Sequence, residues 1–314
     1  MSVAADDLLA GARAGDTRSL ARLLTIVEND EPGAAAIVRE TYPLTGRARI
    51  VGLTGPPGGG KSTLVSRLAG AYRAVHERVA VVAVDPSSPF TGGAILGDRI
   101  RMRERFLDAG IFIRSMASRG HSGGLARATR RVVGLLDALG TEVVLVETVG
   151  VGQEEVDVIR VADTVCLVTV PGLGDGIQAI KAGVLEIADV LVVNKADRPG
   201  ADETIRDLAT MISLGKPRTD WRPLIVRTVA SEGTGVDELV GAIAKHRAWA
   251  SESGELDRRR RDAAAAEVGE LLREALVRRL ADSAGPERMD EVVARVAARD
   301  LDPYAAVEEL LRPR

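Results

Sequence analysis

The residues with the clearest chemistry in this chain form a glycine-rich run that ends in a lysine and a serine. The run reads Gly-Pro-Pro-Gly-Gly-Gly-Lys-Ser from Gly55 to Ser62 and fits the pattern G-x-x-x-x-G-K-[S/T]. In this pattern successive backbone N–H groups point at phosphate oxygens, and the lysine adds a positive charge. The alternative is a glycine-rich turn with a surface lysine. The predicted phosphate contacts are Gly55, Pro56, Pro57, Gly58, Gly59, Gly60, Lys61, Ser62 and Thr63.

Two acidic residues are candidates for binding Mg²⁺ beside those phosphates. Asp85 and Glu147 each follow a valine-rich apolar run. Magnesium prefers oxygen ligands, so Ser62, Asp85 and Glu147 form a predicted metal site. Either acid could instead be an ordinary turn residue at the end of a strand. Gly150, shortly after Glu147, is placed to bring its N–H group against the γ-phosphate.

A second motif, Asn194-Lys195-Ala196-Asp197, follows another apolar run and predicts recognition of a guanine base. The carboxylate of Asp197 can accept hydrogen bonds from N1–H and from the exocyclic amine of guanine, whereas adenine presents only an acceptor at N1. The aliphatic stem of Lys195 can cover the base. Standing alone, the tetrapeptide would be a charged turn. Further along, Ala230, Ser231 and Glu232 are expected to present a backbone N–H group to the guanine O6 atom.

The elements that must position these residues are short β-branched runs that alternate with helical segments. This alternation predicts an α/β fold with a doubly wound, mainly parallel sheet. The glycine-rich run, Asp85, Glu147 and Asn194 each follow a strand, so the carboxyl edge of the sheet should bring them together. The predicted strands are Ile50–Leu53, Val79–Val84, Ile111–Ile113, Val143–Val146, Val165–Val170, Val190–Val193 and Leu224–Val229.

We predict three parts in the chain. Residues 1–45 form an N-terminal helical extension, residues 46–250 the phosphate-binding α/β domain, and residues 251–314 a C-terminal helical arm. The second boundary depends on the polar stretch Glu252–Arg261, whose arginines we interpret as a solvated linker. The arm carries apolar stripes at helical spacing, which must pack on the main domain or on another subunit.

The composition excludes several classes of function. The chain has 314 residues, a formal net charge of -3 and 3% aromatic residues, so neither charge nor base stacking favours nucleic-acid binding. Its apolar runs are far shorter than the roughly 20 residues of a membrane-spanning helix. Asp6 and Asp7 stand where a secretory signal would be positive. We therefore expect a cytoplasmic protein without a membrane partner. The single cysteine, Cys166, excludes an intramolecular disulfide, and we expect it to be buried.

With these motifs in place, the chain resembles the MeaB/ArgK family of P-loop GTPases, chaperones of adenosylcobalamin-dependent acyl-CoA mutases such as methylmalonyl-CoA mutase. The resemblance extends over essentially the whole chain. It rests on segments typical of the family: Gly55–Thr63, Asp85–Ser88, Gly93–Met102, Ser115–Leu125, Glu147–Gln153, Pro171–Lys181 and Asn194–Asp197.

The resemblance implies hydrolysis of GTP to GDP and phosphate, with Mg²⁺ and without a tightly bound organic cofactor. It adds Asp98 to the Mg²⁺ or nucleotide contacts, and it implies that the segment Val170–Lys181 transmits the nucleotide state to the mutase. Lys181 is thus expected to take part in catalysis together with Lys61 and Glu147. Gly176 stands where many members have an acid, which puts a salt bridge to the partner from that position in doubt. The family also implies a homodimer built partly by the C-terminal helices.

Three other functions stay open at this point. A kinase that phosphorylates a transport-system binding protein would move the γ-phosphate to protein or to a small molecule. A nickel-delivery GTPase would need a histidine-rich or cysteine-containing metal site, which the chain lacks. A nucleotide-gated scaffold would bind GTP without turnover.

Overall fold

The computed structural model describes residues 3–75, 78–85, 108–117, 124–148, 161–172, 186–215 and 219–311. The chain forms two compact units, Met1–Leu256 and Asp257–Arg314. The first unit contains the sheet and all the candidate nucleotide contacts that the structure describes, and helices make up the described part of the second.

A seven-stranded sheet forms the centre of the first unit, and all its described pairings are parallel, as the sequence predicts. The strands are valine-rich because both faces of the sheet are covered. Their order across the sheet is β3-β2-β4-β1-β5-β6-β7. In chain order they are β1 Arg49–Thr54, β2 Val79–Asp85, β3 Ile111–Ala117, β4 Val143–Thr148, β5 Thr164–Thr169, β6 Val190–Asn194 and β7 Leu224–Thr228.

The central strand β1 leads directly into the glycine-rich run. It lies between β4 and β5, and connections leave this point toward both sides of the sheet. In open α/β sheets such a reversal of strand order opens a crevice at the carboxyl edge. The sheet therefore brings Gly55 next to the carboxyl ends of β4 and β5.

Helices cover the sheet of the first unit, and further helices follow in the sequence. Those of the first unit are α1 Val3–Arg13, α2 Thr17–Glu28, α3 Ala34–Thr41, α4 Lys61–Arg73, α5 Gly124–Ala138, α6 Ala201–Leu214 and α7 Val236–Glu252. The helices α8 Glu255–Ala284, α9 Pro286–Ala297 and α10 Pro303–Leu311 follow. Across the described ranges, no helix has both the length and the apolarity that crossing a membrane requires.

The N-terminal helices share a hydrophobic core with one face of the sheet. Leu9, Leu24 and Val27 belong to the same buried cluster as Leu136 in α5 and Val146 in β4. Asp16 caps α2 by accepting hydrogen bonds from the N–H groups of Arg18 and Ser19. The second core, on the other face, packs α4 and α7 against β1, β4 and β6.

The helices of the second unit leave apolar side chains in contact with solvent. Leu272 and Leu276 in α8 are 57% and 50% exposed, and Val293 in α9 is 57% exposed. Within this unit an ion pair of 2.9 Å joins Arg295 to Glu309. The interpretation of the arginine run 258–261 as a linker is wrong, because these residues lie inside α8, where Arg258 pairs with Asp262 one turn later.

Candidate nucleotide site

The glycine-rich run forms a tight loop, and at both of its ends the backbone conformation requires glycine. Gly55 has φ 144° and Gly60 has φ 83°, backbone angles that residues with a side chain rarely adopt. A Cβ atom at Gly55 would collide with the carbonyl oxygen of Val168 in β5, and one at Gly60 would collide with the side-chain amide of Asn194. The loop is thus held against two neighbouring strands, and it ends at the first residue of α4.

Lys61 lies inside this loop and not on the surface. The residue is 6% exposed, and its Nζ atom donates hydrogen bonds to the carbonyl oxygens of Gly55 at 2.7 Å and Pro56 at 3.0 Å. A buried ammonium group in a glycine-rich loop, at the start of a helix, is suited to binding a polyanion. The alternative of a surface lysine on a simple turn is therefore wrong.

Ser62 and Glu147 meet at the carboxyl edge although they are far apart in the sequence. The Ser62 hydroxyl donates a hydrogen bond of 2.6 Å to Oε1 of Glu147, and both residues are buried. Glu147 is paired in register with Leu53 of β1 and Ala83 of β2, which fixes its depth in the sheet. These two adjacent oxygen donors suit Mg²⁺, which binds hydroxyl and carboxylate oxygens.

Several predicted contacts lie partly or wholly outside the described residues. Asp85 is the last residue of β2, in the strand next to Glu147, and its side chain is not among those described. Asp98, Gly150 and Lys181 lie in ranges that the structure leaves undescribed. Their roles stay predictions.

Asn194 connects the phosphate loop to the loop after β7. Its Nδ2 atom donates to the carbonyl oxygen of Gly59 at 2.8 Å. Its Oδ1 atom accepts hydrogen bonds of 3.1 Å from the Thr228 hydroxyl and from the Ala230 N–H group. The residue is 1% exposed, so these bonds are shielded from water. Asn194 therefore fixes the distance between the two loops.

Lys195 and Asp197 complete this segment on the solvent side. Lys195 has φ 55°, an uncommon value for a residue other than glycine, and its Nζ atom donates to the carbonyl oxygen of Gly58 at 2.8 Å. Its aliphatic stem thus runs toward the phosphate loop. Asp197 is exposed, so its carboxylate is accessible to a base. A left-handed backbone conformation such as that of Lys195 is often found at functional sites.

Two residues of the site were not predicted from the sequence. Thr228 supplies one of the hydrogen bonds to Asn194, and Arg67 in α4 donates hydrogen bonds to the carbonyl oxygens of Ala230 and Ser231. A polar residue at the end of β7 was the only signal for Thr228. Arg67 gave none, because an arginine on an amphipathic helix is by default a solvated residue.

Cys166 takes no part in this site. It is fully buried in β5, in the core formed with α4, as the sequence predicts. Burial raises the pKa of its thiol, with a smaller contribution from the negative charge of Asp189. The thiolate form, which is the reactive nucleophile, is therefore disfavoured.

A family model described as methylmalonyl Co-A mutase-associated GTPase MeaB matches residues 20–284 of the chain. A putative GTPase of Pyrococcus abyssi is 49% identical over 310 residues, which cover 98% of this chain and 96% of the relative. The methylmalonic aciduria type A homolog of Caenorhabditis elegans, described as mitochondrial, is 34% identical over 274 residues, or 81% of this chain and 68% of the relative.

Among solved structures, a crystal structure described as an LAO/AO transport system kinase matches with a TM-score of 0.73 and 27% sequence identity. The match covers 99% of this chain and 97% of the other. Since the family model spans most of the chain and relatives named as GTPases match along nearly its whole length, the chain belongs to the MeaB family of P-loop GTPases and is a GTP hydrolase.

Proposed function

We propose that the chain uses GTP hydrolysis at this site to gate an adenosylcobalamin-dependent acyl-CoA mutase, methylmalonyl-CoA mutase, in the cytoplasm. The observation that carries the nucleotide assignment is the pair of hydrogen bonds that joins the segment Asn194–Asp197 to the phosphate loop. Asn194 and Lys195 hydrogen-bond to Gly59 and Gly58 of the phosphate loop. A nucleotide whose phosphates occupy that loop then has its base beside Asp197.

The phosphate loop binds and orients the triphosphate. The Lys61 ammonium group leaves the carbonyl oxygens of Gly55 and Pro56 and turns to the β- and γ-phosphates, where it neutralises charge that develops in the transition state. The N–H groups of the loop and of the first turn of α4 stabilise the same charge. Water attacks the γ-phosphorus in line with the leaving oxygen.

Ser62 and Glu147 would hold Mg²⁺, together with Asp85 and Asp98. When bound there, Mg²⁺ supplies positive charge to the β- and γ-phosphate oxygens. The hydrogen bond between Ser62 and Glu147 keeps both oxygens close to the start of α4. Binding of the ion therefore requires little rearrangement of these two side chains.

Guanine is read on the other side of the site. Asp197 accepts hydrogen bonds from N1–H and the exocyclic amine, and the stem of Lys195 covers the face of the base. The segment Ala230–Glu232 supplies the N–H donor for O6. GTP and GDP are the only tightly bound organic ligands in this proposal.

The mutase as partner is supported by the descriptions of the family and of a relative. The family model is named for association with methylmalonyl-CoA mutase, and the relative from Caenorhabditis elegans for methylmalonic aciduria. The test is phosphate release from GTP with and without purified methylmalonyl-CoA mutase. We expect slow intrinsic turnover that the mutase raises at least about tenfold, a modest effect beside the roughly thousandfold or more that a partner's arginine finger contributes in other GTPases. Equal rates with and without the mutase would contradict this partner.

The second unit supports a homodimer. Val268, Leu272 and Leu276 of α8 are each at least half exposed, and this helical stripe has the spacing of an interface between helices. A second copy of the chain can bury the stripe.

A kinase is the second candidate, because the crystal structure with a TM-score of 0.73 is described as an LAO/AO transport system kinase. The two functions differ in the fate of the γ-phosphate. GTP labelled at this phosphate should yield labelled inorganic phosphate from a hydrolase. Label on a protein or small-molecule acceptor would support the kinase instead.

A further inference from the structure

The loop after β7 is held by a side chain from the helix of the phosphate loop. Arg67 lies in α4, and its Nε atom donates to the carbonyl oxygen of Ala230 at 3.1 Å. Its Nη2 atom donates to the carbonyl oxygen of Ser231 at 2.5 Å. The planar guanidinium group thus fixes two successive peptide units at once.

The hydrogen bonds of three successive N–H groups in this loop, those of Ala230, Ser231 and Glu232, indicate which donor is left for a ligand. Ala230 N–H donates to Asn194 Oδ1 at 3.1 Å, and Glu232 N–H donates to the carbonyl oxygen of Val229 at 3.0 Å. Between them, the Ser231 N–H group has no acceptor in the part of the chain that the structure describes. It is the one donor of these three that is still available to a ligand.

The orientation of this donor follows from peptide geometry. The Ser231 N–H and the Ala230 carbonyl belong to the same peptide unit, and a trans peptide points these two groups in opposite directions. Because Arg67 binds the carbonyl, the N–H group must point away from α4. Rotation of the peptide would break the bond to Arg67.

We infer that Arg67 is a positioning residue that aims the Ser231 N–H group at the O6 atom of guanine. The inference rests on the proposed reading of the base by the segment Asn194–Asp197. Adenine has an amino group where guanine has O6, so an N–H donor fixed at this point would face another donor. Arg67 therefore contributes to the choice of nucleotide without touching it.

The test compares Arg67→Ala with the wild-type protein in calorimetric titrations with three nucleotides. GDP has both O6 and the exocyclic amine. In 6-thio-GDP a sulfur atom, which is a weak hydrogen-bond acceptor, replaces O6. Inosine diphosphate keeps O6 and lacks the amine that Asp197 reads. Each analogue thus removes one contact and leaves the other in place.

We expect wild-type protein to bind GDP about three to ten times more tightly than 6-thio-GDP, the range for one hydrogen bond. In Arg67→Ala this ratio should fall toward one, because GDP loses an aligned donor and 6-thio-GDP has little to lose. The ratio between GDP and inosine diphosphate should stay at its wild-type value, because Asp197 is untouched. A general loosening of the site would not lower the first ratio and leave the second unchanged.

A matched control is Arg73→Ala, which removes an arginine of the same helix that pairs with Asp108 and does not contact the loop. Both ratios should be wild-type in this variant. An unchanged ratio of GDP to 6-thio-GDP in Arg67→Ala would overturn the inference, as would equal weakening of all three nucleotides. A wild-type protein that binds adenosine diphosphate as tightly as GDP would instead overturn the proposed guanine site, and the role of Arg67 with it.

Discussion

The Ser62 hydroxyl lies 2.6 Å from Oε1 of Glu147, which joins the first turn of α4 to the carboxyl end of β4. These residues approach each other because β4 is the direct neighbour of β1, whose end leads into the phosphate loop. Both side chains are buried, so the pair lies where water is largely excluded. A charge at the Glu147 carboxylate has a stronger effect there than at the surface.

Replacing Glu147 by Gln should lower GTP hydrolysis by about a hundredfold, because a neutral amide binds Mg²⁺ and orients Ser62 more weakly. Phosphate release measured over a range of Mg²⁺ concentrations should also show that the variant needs more of the ion. Glu238→Gln, on the exposed side of α7, is the control and should behave as wild type. A normal Mg²⁺ requirement in Glu147→Gln would contradict the metal assignment.

Replacing Lys61 by Ala should abolish measurable hydrolysis while the protein stays folded. The ammonium group donates to carbonyl oxygens of the loop, and the packing of α4 on the sheet is carried by its apolar side chains, so we expect that packing to survive the loss of Lys61. Circular dichroism and phosphate release are followed on the same sample, with Lys245→Ala in α7 as the exposed control. Wild-type turnover in a folded Lys61→Ala protein would remove Lys61 from the mechanism.

Replacing Asp197 by Asn should reverse the preference between two bases. An amide can donate to the additional carbonyl of xanthine but cannot accept both donors of guanine. We expect GTP affinity to fall at least about tenfold and that of xanthosine triphosphate to rise, in line with the loss of a charge-assisted hydrogen bond. Unchanged affinities for both would show that Asp197 does not read the base.

Replacing Lys181 by Ala should affect only the response to the mutase. This residue ends the segment Val170–Lys181, which begins directly after β5 at the carboxyl edge that carries Glu147. Nucleotide affinity and intrinsic hydrolysis should stay near wild type, and stimulation by the mutase should be largely lost. If the mutase stimulates variant and wild type equally, Lys181 has no role in coupling.

Replacing both Leu272 and Leu276 by Glu should convert a dimer into a monomer that still binds GTP. Charge on this exposed stripe disfavours burial against a second copy, and the site lies in the other unit. Sedimentation velocity gives the mass, and Leu214→Glu, at an exposed leucine of α6, is the control. A double variant that stays dimeric would place the interface elsewhere.

The sequence alone predicts the elements of this fold well, because their signals are local. Seven apolar runs identify seven strands, and the structure shifts their ends by a few residues at most, with the largest change at β3, Ile111–Ala117. The arginine run 258–261 shows where the local signal fails. Its charge suggested a linker, but arginine has a high helix propensity, and an ion pair one turn apart supports the helix.

The phosphate-binding chemistry of Gly55–Ser62 is also determined by the sequence, since backbone N–H groups within one short loop form the cradle. Only the tertiary structure decided which distant groups complete it. Three such contacts complete the site: Glu147 reaches Ser62, Asn194 reaches Gly59, and Arg67 reaches Ala230. They form because the strand order places β4 beside β1, brings β6 to the second position on the other side of β1, and sets α4 against the loop after β7. Those contacts join residues 85, 135 and 163 positions apart, and their formation depends on the packing of the whole sheet and not on any local pattern.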